Sequence, residues 1–483
     1  MKFSPKTTMQ MDLLLNDNLQ VRSLVDCFSS PLNIIFPQSI ENNILECEKV
    51  FKKFSIKGHI YFAHKCNKSD AIINQMINSG VNVDVASVNE LKHSLSCGFV
   101  GKHIEATGPK NDDFILLGLR HNILFNVDNF EELQTLLNFH KAINKKDKTK
   151  LLIRLCGFKS GATKFLAKQS RFGIDIEKID TIFDFLKENK DIFEFVGFSF
   201  HLDTVNLNEK IVAIENVINL FSRAYELELN PYIINIGGGF KVSYLKNGKE
   251  WNESVSELKE DIISGNNKLT WNKASFGLHS EQGVLRGGLN IYNYYEESVK
   301  EKFLNDILSA RLEKYQNRMV GEILSENMIE LAIEPGRSLL DGAGLTLAEV
   351  VFSKNSSSGD NLIGASMNRS NLLIGEQEMF VDPILIGKSE NETNKDGFYL
   401  LGNLCLESDL IFKHKVFIDK LPKKGDILAF VNTAGYFMDF SQSETIMHNV
   451  AKKIVAVENN GKLNFFLDEN FDSIKQKVKN ESK

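Results

Sequence analysis

The chain has 483 residues, of which 42% are hydrophobic and 25% charged, with a formal net charge of −6. That length exceeds one ordinary domain, so two domains or one large barrel with an appendage is the expectation. The charge balance leaves no electrostatic footprint for nucleic acid, while a single pocket can still take a small or acidic metabolite. The N-terminal residues include Asp12, Asn16 and Asp17 and lack an unbroken apolar core, so they do not read as a signal peptide, and no stretch approaches the length of a membrane span. Cys27, Cys47, Cys66, Cys97, Cys156 and Cys405 are scattered without paired spacing. This argues against a disulfide framework and against a zinc or other metal site, and points to the cytoplasm.

In chain order, residues 31–37 form a proline-bounded apolar run that reads as a strand or an extended entry segment, and residues 40–54 carry the apolar spacing of a helix. The pattern then becomes periodic. Short β-type runs occur at 60–63, 81–85, 104–106, 123–127, 151–155, 193–200, 232–236 and 328–333, most of them separated by helical patterns such as 71–78, 89–96, 130–139, 179–188 and 209–226. Eight strands alternating with helices is the count of a (β/α)8 TIM barrel, an α/β fold whose strands run parallel and are buried on both faces. The acidic and basic run 145–150 reads as a solvated loop. Between the glycines at 237–239 and the eighth strand the chain is far longer than one crossover, which places an insertion near 243–295, with Trp251 and Trp271 in it.

Beyond Gly344 the helical rhythm ends, and β-type runs at 345–352, 371–374, 398–401, 410–418, 427–431 and 454–457 predict an antiparallel β-domain. The expected organisation is a barrel over 36–345 and a β-domain made of 1–35 and 346–483.

The residues suited to chemistry fall at the ends of the barrel strands. Lys65 ends an apolar run, which would bring its amine from a buried strand into whatever caps it. Partial loss of water favours the neutral amine, which attacks an aldehyde such as that of pyridoxal phosphate to form a Schiff base. A lone strand-end lysine more often points into solvent. Two further motifs at the same end shift that balance. Gly237, Gly238 and Gly239 follow the seventh strand, where backbone amides can approach a phosphate closely. Glu334-Pro335-Gly336-Arg337 ends the eighth strand, offering a carboxylate for a pyridine nitrogen and an arginine for a phosphate.

Taken in order, Ala63-His64-Lys65-Cys66-Asn67, Asp84-Val85-Ala86-Ser87, Ser170-Arg171-Phe172-Gly173, Phe200-His201, Gly237-Gly238-Gly239, Glu334-Pro335-Gly336-Arg337, Cys405-Leu406-Glu407-Ser408-Asp409 and Ala434-Gly435-Tyr436 resemble the motifs of the alanine-racemase-like, fold-type III pyridoxal-phosphate enzymes. Within them the chain is similar to the ornithine and diaminopimelate decarboxylase group, over about residues 32–450. The resemblance implies that Lys65 is the Schiff-base lysine, that His201 stacks on the cofactor ring and that Glu334 meets the pyridine nitrogen. It also implies that Gly237, Gly238, Gly239, Gly336, Arg337 and Tyr436 bind the phosphate, with Asp84 and Arg154 lining the same cavity. Thr204 stands where relatives place a serine and would bond to the same phosphate, while Asp203 stands where they place a glycine. Cys405 matches the cysteine that returns a proton after carbon dioxide leaves and that reaches the partner's barrel across a homodimer with shared active sites. A thiol stays mostly protonated near neutrality and so suits that role.

One departure concerns the substrate. Relatives acting on free diamines place an acidic residue directly after this cysteine, where the present chain has Leu406. A distal ammonium facing leucine lacks a charge-assisted bond, unless Glu407 or Asp409 supplies it. The arginine that diaminopimelate decarboxylases carry ahead of an apolar-aromatic run is not evident near Phe380-Val381-Asp382-Pro383. The expected activity is therefore α-decarboxylation of a diamino acid derivative, an N-acylated ornithine such as N-citrylornithine, as in divergent decarboxylases of rhizoferrin-like siderophore biosynthesis. Arg286 or Arg369 would then face an anionic acyl group. The alternatives are a decarboxylase of free diaminopimelate or ornithine, an amino-acid racemase, and a non-catalytic pyridoxal-phosphate carrier, against which the β-domain argues.

Overall fold

The computed structural model describes residues 1–158, 170–202, 206–375, 377–387 and 396–472. All eight expected barrel strands form: Gly58–Ala63, Asn82–Val85, Ile104–Ala106, Leu124–Val127, Thr149–Cys156, Phe193–Ser199, Ile233–Asn235 and Glu330–Ile333. Every neighbouring pair is parallel, and the barrel closes because the first strand pairs with the eighth and the fourth with the fifth. A short extra strand, Ile174–Asp175, pairs beside the end of the fifth.

Side-chain alternation along these strands explains what fills the barrel. Tyr61, Leu124, Leu152, Val196, Ile233 and Ala332 cluster as one apolar layer. Because strand side chains repeat with period two, the next layer toward the strand ends holds Asn126, Arg154, Asn235 and Glu334, two positions on from Leu124, Leu152, Ile233 and Ala332. The barrel is therefore apolar below and polar above, where its strand ends carry the motifs. A cavity of 420 Å³ lined by Lys53, Phe54, Ser55 and Glu322 lies by the residues that lead into the first and eighth strands, at the opposite end.

The crossover helices follow from capping as much as from apolar spacing. Ser69, Ser87, Asn111, Asn129 and Asn206 each accept a backbone N–H from the first turn of the helix that follows them. The helix Asp112–His121 was not among the expected elements, although Asn111 caps it and Asn122 ends it in the left-handed conformation.

Two compact units make up the chain. One comprises Met1–Ile40, Val242–Glu297 and Leu340–Phe471, and the other, among the described residues, Glu41–Lys241 and Ser298–Leu339 with Asp472. The segment expected as a barrel insertion at 243–295 thus groups with the β-rich unit. The cause is aromatic packing: Trp251 and Tyr294 lie within 6.4 Å, ring centre to ring centre, of Phe380, and Phe3 joins them.

The β-rich unit is built on a sheet that runs Ile384–Ile386, Ile427–Val431, Gly344–Asn355, Leu32–Ile35, Lys452–Asn459, Lys462–Leu467. Asn361–Ala365 and Phe398–Leu401 extend it from the far half of the long strand. It is antiparallel for the most part, with parallel pairings of Leu32–Ile35 to Lys452–Asn459 and of Asn361–Ala365 to Phe398–Leu401. Two expected strands differ. Residues 371–374 lie at a 3-10 turn, Arg369–Leu372, because Asn368 and Asn371 cap one another's backbone. Residues 410–418 make isolated bridges rather than a strand: Leu401 to Leu410, Thr270 to His414 and Phe398 to Val416. No helix among the described residues is long and apolar enough to cross a membrane.

Candidate active site

The first barrel strand ends in a single 3-10 turn, His64–Cys66, that carries Lys65 out of the buried strand with its side chain exposed. Backbone bonds tie that end to the other motifs. The Ala63 N–H points to the Pro335 carbonyl at 3.5 Å, the Glu334 N–H donates to the Gly237 carbonyl at 2.9 Å, and the Ile236 N–H donates to the Ala332 carbonyl at 3.0 Å. The ends of the first, seventh and eighth strands, with Lys65, the glycines and Glu334-Pro335-Gly336-Arg337, therefore hold together as one rim.

Below that rim lies a hydrogen-bonded carboxylate layer that motif reading missed in part. Asn235 Nδ2 donates to both oxygens of Glu105, at 3.1 and 3.0 Å, and to Glu334 Oε1 at 2.8 Å. Asn126 Nδ2 donates to Glu105 Oε1 at 2.7 Å, and its Oδ1 accepts from Ser199 Oγ at 2.5 Å. Asp84 pairs in register with Glu105 on the neighbouring strand. Burial pushes the carboxyls of Asp84, Glu105 and Glu334 upward, and the charge of Glu334 adds to this at Asp84 and Glu105. At Glu334 the charges of Arg154 and Lys65 oppose the burial. Three acids so close favour a positive or donating group among them. The signal for Glu105 and Asn235 was present as polar residues inside β-type runs, where a barrel interior ordinarily takes apolar ones.

The glycine motif is shaped from behind. Lys210, fully buried on the helix Leu207–Glu226, donates to the carbonyls of Ile236 at 3.1 Å and Gly238 at 2.8 Å. Burial lowers its ammonium to about 8, with Glu334 acting the other way. The Asn235 side chain also accepts the Gly237 N–H at 2.9 Å. Gly237 and Gly239 have φ of +66° and +85°, and a Cβ on Gly238 would stand 2.9 Å from the Glu334 carbonyl and 3.2 Å from His201 Nε2. Only glycine gives this close approach without strain. Burial pushes the His201 imidazole down to about 3, and the charges of Lys65, Lys210 and Arg154 act in the same direction. The ring is neutral near pH 7.

Arg154, at the end of the fifth strand, lies 3.8 Å from Asp128 Oδ1 and over the ring of Phe172 at 4.8 Å. The same Asp128 oxygen accepts the Gly173 N–H at 3.0 Å. This accounts for the Ser170-Arg171-Phe172-Gly173 motif: Gly173, at φ +88°, lets the chain turn so that Phe172 covers the arginine. Thr204 and Asp203 lie outside the described residues.

Pyridoxal phosphate offers an aldehyde, a pyridine nitrogen and a phosphate, and the residues present fit all three. The Lys65 amine stands on the rim for the aldehyde. Glu334 meets the requirement of the ring nitrogen, and Asp84 Oδ1 is buried without a hydrogen-bond partner among the described residues, the mark of a site built for a further donor or cation. The cradle that a Cβ would fill at Gly238 suits the phosphate.

The remaining expected residues belong to the β-rich unit. Cys405 and Leu406 are exposed, Leu406 at 53%. Glu407 is exposed also. Asp409 is buried and bonded to backbone, accepting from the Arg369 N–H of the 3-10 turn at 2.8 Å and from the Leu404 N–H of its own loop at 2.9 Å. Arg369 lies 3.6 Å from Glu378, which also faces His414 at 3.3 Å. Arg286 is exposed on the hairpin formed by Leu278–Glu281 and Val284–Gly287, 3.7 Å from Glu281. Tyr436 follows the strand Ile427–Val431 with φ +73° and packs edge-on against Phe440 at 5.8 Å.

A closed parallel barrel with a lysine ending its first strand, a glycine cradle after its seventh and a buried acid ending its eighth defines a pyridoxal-phosphate enzyme of the alanine-racemase-like fold. Residues 38–284 match the family described as "Pyridoxal-dependent decarboxylase, pyridoxal binding domain", and the chain belongs to that family. A Sinorhizobium fredii protein designated y4yA, of uncharacterised function, is 26% identical over 435 residues, covering 89% of this chain and 88% of its own. A Staphylococcus aureus diaminopimelate decarboxylase is 21% identical and covers 88% of both chains. Among solved structures, diaminopimelate decarboxylase from M. jannaschii with L-lysine superposes with a TM-score of 0.69 at 19% identity, over 93% of this chain and 91% of that one.

Proposed function

We propose that this pyridoxal-phosphate decarboxylase removes the α-carboxylate of an N-acylated diamino acid, of the type of N-citrylornithine, as a step in making a polycarboxylate siderophore. The observation that carries the reading is the commitment of Asp409 to two backbone amides beside an exposed Leu406. Of Glu407 and Asp409, Glu407 is the one without such backbone bonds among the described residues, and the residue directly after the cysteine is apolar. An acylated nitrogen carries no charge and tolerates that surface.

The bound cofactor supplies an electron sink for the pair left behind when carbon dioxide departs. The chain's own residues do the rest. The Lys65 amine would hold the cofactor at its aldehyde. Glu334 would face the ring nitrogen, His201 would cover the ring as a neutral imidazole, and the loop Gly237, Gly238 and Gly239, with Gly336, Arg337 and Tyr436, would hold the phosphate. Arg154, held by Asp128 and Phe172, contributes fixed positive charge. The Cys405 thiol holds the proton delivered to the α-carbon. In this reading a homodimer brings Cys405 to the partner's barrel, and Arg286 or Arg369 faces the anionic acyl group.

The relatives named diaminopimelate decarboxylases favour a second reading, in which the substrate is a free diamino acid and Glu407 receives its amine. Incubating the protein with free and N-acylated ornithine, lysine and diaminopimelate, and measuring carbon dioxide, separates the two. Preferred turnover of the acylated compounds is expected. Efficient use of free diaminopimelate or ornithine overturns the first reading.

A further inference from the structure

Next to the lysine turn, outside the residues assigned above, three side chains from two helices converge. Asp70 opens the helix Asp70–Asn78, while His93 lies on Val88–Ser96 and Cys97 caps the end of that helix. His93 Nε2 is 2.7 Å from Asp70 Oδ1 and 3.6 Å from Cys97 Sγ, and all three ligand atoms lie within 4.8 Å of one another. His93 and Cys97 are four residues apart, so they share one helix face. Cys97 has no cysteine near it in the sequence, and Asp70 comes from another helix, so spacing along the chain does not reveal the group.

The other nitrogen of His93 carries the second observation. His93 Nδ1 is 2.7 Å from Nε2 of His64, which is buried, and His64 Nδ1 faces Glu90 Oε1 at 3.7 Å. With His93 donating from Nδ1 to His64 Nε2, the His93 Nε2 lone pair faces the Asp70 carboxylate, and an ion between them has the cysteine at 3.6 Å as a third ligand; with the proton on His93 Nε2 instead, that proton bridges to Asp70. A chain of carboxylate, imidazole and imidazole behind a ligating nitrogen is the outer-shell support that metal-bound histidines ordinarily have.

We propose that Asp70, His93 and Cys97 bind a divalent transition ion, with Zn2+ the best match. Thiolate, imidazole and carboxylate together suit zinc, and the two negative ligands balance its charge. Bonds of about 2.0–2.3 Å in tetrahedral geometry place ligand atoms roughly 3.2–3.8 Å apart. Cys97 and His93 already have that spacing, and Asp70 needs to draw back by roughly half an ångström. Three protein ligands leave the fourth position to water. The ion ties the first turn of Asp70–Asn78 to the end of Val88–Ser96 and, through His93, braces His64 in the turn that carries Lys65.

The test uses the cofactor-loaded protein, equilibrated with Zn2+ alone and then dialysed, with elemental analysis and X-ray absorption at the zinc edge. One ion per chain is expected, with a sulfur in its first coordination shell. Cys97→Ser should remove the sulfur and weaken retention at least tenfold, and Asp70→Asn should weaken it also. Both changes are on partly exposed side chains, so circular dichroism should show the fold intact. His64→Gln keeps every ligand and should lower affinity about 10- to 100-fold by releasing His93. Retention no better than that of Cys97→Ser, or a sulfur signal that survives Cys97→Ser, overturns the site and leaves a proton as the bridge between His93 and Asp70.

Discussion

Lys65 illustrates how one residue's meaning depends on its neighbours. Its exposure alone would make it an ordinary surface lysine. What distinguishes it is the 3-10 turn at a buried strand end and the bond network that links that end to Pro335 and Gly237. Borohydride treatment of the holoenzyme, followed by peptide mapping, should place the cofactor on the peptide containing Lys65, and Lys65→Ala should abolish the label. A label on another lysine removes the assignment. Leu406 is the residue on which substrate choice turns. Leu406→Asp adds like charge toward an anionic acyl group and supplies a partner for a free ammonium. A charge-assisted bond contributes about 1.5–3 kcal/mol, so the ratio of kcat/KM for acylated over free substrates should fall at least about tenfold. An unchanged ratio means that position 406 does not face the side chain's end.

At the scale of elements, the loop after the seventh strand is held by a lysine on the following helix. Lys210 binds the carbonyls of Ile236 and Gly238 and so fixes the backbone of the glycine loop. Lys210→Met removes both bonds and leaves the carbonyls of Ile236 and Gly238 without their donor. The expected cost is about 1–3 kcal/mol in unfolding stability, with weaker cofactor binding. Urea denaturation and equilibrium dialysis of pyridoxal phosphate measure the two. Unaltered cofactor affinity in a destabilised variant would restrict Lys210 to holding the fold. The same element shows why residue patterns were informative to different degrees. The glycines stood out because only their type permits those backbone angles. Lys210 reads, in sequence, as one more polar position on an amphipathic helix.

For the whole molecule, acid stability and assembly are the measurable consequences. In the cofactor-free protein, the His201 imidazole titrates near 3, against about 6.5 in an unfolded chain. The unfolded state therefore takes up the proton first as pH falls, and stability drops between about 6.5 and 3. The raised carboxyls of Asp84, Glu105 and Glu334 act in the opposite direction, so a variant comparison is needed to isolate the histidine. Between pH 7 and 5 the unmodified chain should lose more stability than His201→Phe, by at most about 2 kcal/mol. Parallel losses in urea midpoints would place His201 in solvent contact. Shared active sites are tested by mixing Lys65→Ala chains with Cys405→Ala chains, since a mixed dimer holds one site with both residues intact. Partial recovery of decarboxylation is expected, and none, with subunit exchange demonstrated, argues for sites complete within one chain.

The sequence by itself determined the barrel, since eight buried strands separated by capped amphipathic helices have one economical closure, and it determined the cofactor motifs, since glycine, lysine and Glu-Pro-Gly-Arg occupy strand ends for local backbone reasons. Tertiary structure decided what depends on partners distant in the chain. Asp409 looked like a substrate acid and is fastened to the amides of Arg369 and Leu404. Glu105 looked like one residue of a strand and shares Asn235 with Glu334 across the barrel. The segment 243–295 looked like part of the barrel and joins the β-rich core through Trp251 and Tyr294. Asp70, His93 and Cys97 had no common pattern until two helices brought them within reach. Local propensity and period act over a few residues and can be read directly; the pairing of polar groups and rings from separate elements is set by packing, and only the folded chain reveals it.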